Sequence, residues 1–317
     1  MPGLSISSPG KTILFGEHAV VYGYPAIAVP LKSISLKVKI LPQLLSGKTT
    51  IINAGRGENL ILQDLSPDHI YNIAIKIIQK NLGITTLPPM QIWITSSIPV
   101  ASGLGSSAAF AVSMTKSIAS FLGFNLNISG INEIAFQIET HLHGSPSGID
   151  NTVIAYSKPV FFRKESTPLF IELEKPLTLL IADTGIRSST KEIILELRLR
   201  KKEKPVFIES IFKKIGEITE CAKGLLINGD GQSIGKLMTE NHSLLQSLGL
   251  SCKELDHLVI TANNSGATGA KLCGGGKGGN IVALADGAKA KSIKEALLAN
   301  GAVNCLITVI ESCQKDK

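Results

Sequence analysis

Aromatic residues make up only 5% of the 317 residues, with a single tryptophan, so there are few platforms on which single-stranded nucleic acid could stack. Cysteine is sparse and poorly spaced for metal. Cys221, Cys252, Cys273, Cys305 and Cys313 form no CxxC pair and all lie in the second half, which reads as reduced thiols rather than a disulfide framework or zinc site. No uninterrupted apolar run reaches the roughly 20 residues that a membrane-spanning helix needs. The opening "MPGLSISSPGKTILFGEH" lacks the basic region and apolar stretch of a secretory signal, so a cytoplasmic location and no membrane partner are expected. Low-complexity tracts and fixed-period repeats are missing too, which removes solenoids and arrays. The formal charge of +7 is not gathered into one patch. Only "RLRKKEK" at 198–204 is dense, and it extends a helical pattern from near Thr190, so a solvated helix face is expected and no nucleic-acid partner.

What is present is a chain with 44% hydrophobic content, enough for a sizeable core and about two domains. Apolar runs predict strands at 12–15, 26–31, 34–41, 49–52, 90–95 and 178–183. Between them, "SPDHIYNIAIKIIQKNLG" offers Ser66 as N-cap, Pro67 at the first helical position and Gly83 as terminator. A second helix follows "GLGSS" and ends at Gly123. Beyond Pro176 come a strand, helices near 190–203, 205–227 and 232–247, and a glycine-rich turn, "KLCGGGKGGNIVALAD". This second unit reads as helices with one antiparallel sheet. An α+β chain with domains at 1–176 and 177–317 is expected.

The stretch from Asn81 to Thr115 carries no ionisable side chain and contains "GLGSSAAF" at 103–110. A glycine-rich turn that feeds a helix starting Ser106, Ser107, Ala108, Ala109 exposes unpaired N–H groups at the positive end of the helix dipole, a geometry that holds phosphate. It is not the Walker pattern, because no lysine follows the second glycine. In "INEIAFQIETHLHGSPSGIDN", Ile131, Ile134, Ala135, Ile138 and Leu142 share one stripe. Glu139 falls roughly 80° from its centre and Glu133 nearly opposite. Glu139 is therefore expected half-buried and is a candidate Mg²⁺ ligand, with pairing to a lysine the alternative. Gly144 closes that helix, and a turn presents Asp150. Lys11 is expected just after a Pro-Gly turn and before a strand. A lysine close to Asp150 would keep that carboxylate ionised as a base. His141 and His143 are poorly placed to share a metal, while Glu17 and His18 could orient a polar substrate.

These segments, in this order, resemble the GHMP kinases. "PVASGLGSSAA" at 99–109 is similar to that family's ATP phosphate loop. "SPGKTILFGEHAVVYG" at 8–23, "HGSPSGIDN" at 143–151 and "KLCGGGKGG" at 271–279 are most similar to the motifs of its mevalonate kinase branch. The resemblance implies a ribosomal S5-like N-terminal domain and a ferredoxin-like C-terminal domain, with ATP- and Mg²⁺-dependent phosphorylation of the mevalonate 5-hydroxyl. It implies that Ser107 and Glu139 hold Mg²⁺, and that Pro99, Ser102, Gly103, Leu104, Gly105, Ser106, Ser107 and Ala108 hold ATP. Asp150 and Lys11 would be catalytic, while Glu17, His18, Thr190 and Gly275 would line the acceptor pocket. A homodimer is expected. Two departures stand out: Gly275 occupies an alanine position of the family motif, and Lys277 interrupts its glycine run, where it faces either a phosphate or water. The alternatives are another small-molecule kinase of the family, acting on phosphomevalonate or homoserine, or a non-catalytic ATP or metabolite sensor.

Overall fold

The structure is a computed structural model that describes residues 4–43, 47–99, 102–144 and 146–312. Cys313, Val100, Ala101 and Ser145 of the segments above lie outside the described residues. The chain divides into two compact units, each built from more than one segment. One holds the residues up to 10 with 34–99 and 105–157, and the other holds 11–33, 100–104 and everything from 158. The expected boundary near 176 falls inside the last of these segments.

Strands β1 (Leu4–Phe15) and β2 (Ala26–Pro42) each give residues to both units. The two runs read separately at 26–31 and 34–41 are one strand, and its burial changes character along its length. Residues 26–31 are buried without interruption, whereas from Ile34 onward Ile34, Leu36, Val38 and Ile40 are buried and Lys37 and Lys39 exposed, the pattern of a sheet with one wet face. Pro9 and Gly10 lie within β1, so the turn expected before Lys11 is absent. Proline is tolerated there because an extended backbone already has its φ.

In the first unit follow β3 (Thr50–Asn53), β4 (Glu58–Ile61), α1 (Ile70–Leu82), β5 (Met90–Ser96), α2 (Ser106–Phe121), α3 (Ile128–His143) and α4 (Ile149–Tyr156). Its sheet runs β4-β3-β5-β2, with only the β3–β5 pair parallel. The helices pack on one another, α2 against α1, α3 and α4, and Ser113 donates from α2 to the Leu36 carbonyl at 3.1 Å. Helix α1 begins later than expected. Ser66 and Pro67 form a turn whose carbonyls at Leu65 and Ser66 accept from the Asn72 side chain, and His69 is the N-cap, accepting from the Tyr71 amide. Gly83 does end α1, in the left-handed conformation.

The second unit contains β6 (Val160–Phe162), β7 (Leu169–Phe170), β8 (Leu177–Asp183), α5 (Thr190–Glu203), α6 (Pro205–Asn228), α7 (Gly231–Ser247), α8 (Lys253–Asn264), β9 (Gly269–Cys273), β10 (Asn280–Ala285), α9 (Ala290–Ala299) and β11 (Asn304–Ile310). Residues 26–28 of β2 pair with β6. A separate antiparallel sheet runs β11-β8-β10-β9, and Leu180, Phe212, Ile215, Leu245, Leu255, Leu272 and Ile281 form its core with the helices. Each such side chain contributes about 1.5–3 kcal/mol on burial. At Gly235 and Gly269 helix α7 meets β9 backbone to backbone. A Cβ on Gly269 would lie 1.8 Å from the Gly235 carbonyl oxygen, and one on Gly235 would lie 2.3 Å from that of Thr268.

Candidate active site

In the first unit the chemistry gathers where α2 begins. Gly105 caps α2 at φ 82°, a conformation that glycine adopts without Cβ strain. The first amides of α2, beginning at Ser106, have no partner within the helix and point outward at its positive end. The Ser107 hydroxyl donates to Glu139 Oε1 of α3 in a short contact. Glu139 is 5% exposed, deeper than the half-burial expected, because the helices on either side of α3 cover that edge of its stripe. Glu133 is exposed and Ile131, Ile134, Ala135 and Ile138 are buried, whereas Leu142 is only half-buried.

Sequence reasoning missed His143. Its Nε2 lies 3.1 Å from Ser107 Oγ and 3.9 Å from Glu139 Oε2. The available signal was its position four residues after Glu139, on the same helix face. Asp150, expected in a turn, sits in the first turn of α4 after left-handed Gly148, where a carboxylate complements the helix dipole. The following residue, Asn151, donates to Asn132 Oδ1 of α3 at 2.7 Å, which fixes the start of α4 against α3. Among the described residues no three His, Cys, Asp or Glu side chains form a metal cluster. The Ser107–Glu139 pair nonetheless suits Mg²⁺, a hard ion that takes one or two protein oxygens and fills its other positions with phosphate and water.

In the second unit Lys11 is buried on β1, and its amide donates to the Leu104 carbonyl at 2.9 Å. Ser102, also buried, accepts at its carbonyl from Asn280 Nδ2 at 2.6 Å. Leu104 is buried; in the first unit Ala108 is buried and Pro99 half-buried. Gly103 is left-handed at φ 75°. Glu17 is 1% exposed and pairs in a short contact with the fully buried Lys271 of β9, which also donates to the Leu272 carbonyl at 2.8 Å. Glu17 Oε2 has no hydrogen-bond partner. This pairing spans 254 positions and sequence reasoning missed it, although Lys271 opens one of the quoted motifs.

His242 of α7 braces the same strand. Its Nδ1 accepts from the Leu272 amide at 3.2 Å, so the ring proton of the neutral form sits on Nε2, 3.2 Å from Asp256 Oδ1. His18 has φ 61° and places Nε2 3.0 Å from the Gly275 carbonyl. Burial pushes its pKa down to about 4 despite that hydrogen bond, and the Lys271 charge lowers it further, so the neutral ring donates to Gly275. Thr190 is the first residue of α5, and a Cβ on Gly275 would come within 3.0 Å of its Oγ1. The Lys277 ammonium pairs with Glu196 of α5, and the side chains of both remain partly exposed. The basic run at 198–204 forms the last turns of α5 and its C-cap, Lys204; within it Arg200 pairs with Glu196 and Lys201 with Glu209. Cys221, Cys252, Cys273 and Cys305 are free thiols.

The family pattern described as the GHMP kinases N terminal domain matches residues 68–158, and that of the GHMP kinases C terminal matches 222–303. A mevalonate kinase of Pyrococcus horikoshii is 34% identical over 307 residues, covering 89% of this chain and 88% of the relative. One from Thermococcus gammatolerans is 36% identical over 306 residues, covering 88% of each. Among solved structures, the Methanococcus jannaschii mevalonate kinase superposes with a TM-score of 0.87 at 28% identity, covering 97% of this chain and 98% of that one. The L. major mevalonate kinase in complex with R-mevalonate gives 0.84 at 28% identity, covering 98% and 96%. The two-domain α+β architecture is thus that of these kinases, and the chain belongs to the GHMP kinase family.

Proposed function

We propose that this kinase transfers the γ-phosphoryl group of ATP to the 5-hydroxyl of mevalonate. The observation that carries the reading is the Ser107–Glu139 oxygen pair at the start of α2, beside amides suited to phosphate oxygens. In this reading the amides from Gly103 to Ala108 and the Ser106 hydroxyl orient the triphosphate, and Ser107 and Glu139 are the two residues that hold Mg²⁺. The ion, when bound, offsets the charge on the β- and γ-phosphates. Asp150 takes the proton from the acceptor hydroxyl as its oxygen bonds to the γ-phosphorus and ADP departs. Lys11 supplies the ammonium group of this chemistry, and Glu17, His18, Thr190 and Gly275 shape the acceptor pocket.

Phosphoryl transfer of this type depends mainly on positioning and charge. The pairing of Lys277 with Glu196 withdraws the cation that would have favoured an already phosphorylated acceptor, which supports mevalonate over phosphomevalonate. A coupled ADP-release assay with mevalonate, phosphomevalonate, homoserine and galactose tests the assignment. Turnover with mevalonate alone is expected, and a preference for any other acceptor rejects it. A homodimer in the cytoplasm is the proposed assembly, and sedimentation at micromolar concentration tests the dimer.

A further inference from the structure

We infer that Lys277 and Glu196 form a charged latch that sets the width of the acceptor pocket, with Lys277 acting as a positioning residue at a point where the family motif carries glycine. The inference rests on the pocket assignment proposed above. Lys277 holds a left-handed backbone, φ 55°, which costs a side-chain-bearing residue about 1 kcal/mol or more. Something must hold it there. Its amide donates to the Leu250 carbonyl at 2.7 Å, and its ammonium reaches Glu196, six residues along α5 from Thr190.

The rest of the glycine turn is tied by neutral hydrogen bonds alone. Ser188 Oγ donates to the Gly276 carbonyl at 2.8 Å, the Gly279 amide to Ile186 at 2.9 Å, and the Thr184 amide to Gly279 at 2.8 Å. Glu196 is in turn gripped by Arg200, whose other nitrogen donates to the Leu248 carbonyl at 3.0 Å. Charge therefore runs from the turn through α5 to the end of α7.

The two pocket groups at the ends of this tie are specific. Gly275, two residues before Lys277, accepts from His18 Nε2 and packs on Thr190. Because the latch fastens the turn to the helix that Thr190 opens, it fixes the gap between the Gly275 carbonyl and the Thr190 hydroxyl. A mobile turn would let that gap vary, and the acceptor would lose contacts that ATP does not share.

The test is a charge exchange. Lys277→Glu is expected to raise KM for mevalonate about three- to tenfold, the range for a half-exposed ion pair turned into a repulsion, with kcat and KM for ATP within about twofold. Adding Glu196→Lys should recover part of the loss, because the restored pair with position 277 is opposed by the Arg200 guanidinium beside it. Amide exchange of Lys277 and Gly279 should quicken in the single variant and slow again in the double. Should Lys277→Glu not fold, Lys277→Gly removes the ammonium while relieving the backbone, and the same rise in KM is expected. An unchanged KM in both single variants, a kcat loss equal to the KM change, or no recovery on exchange overturns the latch. If the wild-type protein fails to phosphorylate mevalonate, the functional reading falls instead, and the amide exchange still decides whether the latch holds the turn.

Discussion

Two glycine-rich turns, at 102–105 and 274–279, use the same residue for opposite ends. The first feeds α2 and leaves donors unspent, since Gly105 turns the chain so that the opening amides of α2 have no partner within the helix. The second joins β9 to β10 and is closely packed at Gly275, Gly276 and Gly278. A Cβ on Gly276 would stand 2.1 Å from the Leu250 carbonyl oxygen, and one on Gly278 would stand 2.8 Å from that of Ile186. Glycine exposes backbone in one turn and admits neighbouring backbone in the other. A turn that leaves helix amides open can thus be told from a packing turn by where its amides point, which glycine content alone does not disclose.

If Asp150 and the Ser107–Glu139 pair carry the chemistry while the groups around Gly275 hold the acceptor, kinetic damage should divide between the two sets. Asp150→Asn is expected to cut kcat by about 10²- to 10⁴-fold with little change in KM for mevalonate, read by steady-state assay; unaltered kcat breaks the division. Lys271→Met should act through stability instead, because it strands the Glu17 carboxylate in a dry setting. A loss of about 3–5 kcal/mol in denaturant unfolding is expected, with partial recovery on adding Glu17→Gln.

Acid should expose a second cost on the same side. The folded pKa of His18 lies near 4 against an ordinary 6.5, so between those values the unfolded chain binds a proton that the folded chain does not. Stability contributed by the neutral ring is complete above pH 6.5 and falls as pH drops toward 4, by up to about 3 kcal/mol. His18→Asn, which tolerates the left-handed backbone, should flatten that part of a urea-midpoint-against-pH curve. The smallest of these effects is expected from Glu139→Gln, which should raise the Mg²⁺ concentration for half-maximal rate about ten- to a hundredfold. An identical Mg²⁺ titration would remove Glu139 from the metal assignment.

Much of this division is legible in the order of residues. The long helices α5, α6 and α7 follow from periodicity to within a residue or so, and the angle of Glu139 to the apolar stripe foretells some burial, though not the 5% exposure observed. Elements of two to four residues, such as β4, β6 and β7, are too short to show a period, and α4 spans eight residues behind a glycine, so its start resembles a turn. Ser66 misleads because Pro67 and Asp68 satisfy a turn as well as a helix start. The Glu17–Lys271 pair is invisible for another reason: neither residue's local pattern depends on the other, and only the folded chain supplies the partner. His143 lies between these cases, its link to Ser107 hidden and its spacing from Glu139 open to view.

The missing side chains at Gly235 and Gly269 have a mechanical consequence. Helix α7 touches β9 there backbone to backbone, and touches it again where His242 accepts from the Leu272 amide. Seven residues of helix and three of strand each cover about 10 Å, so helix and strand are gauged to the same length and bolted at both ends. Lys271 is caught between those bolts, and its ammonium cannot slide along the strand without one of them giving way.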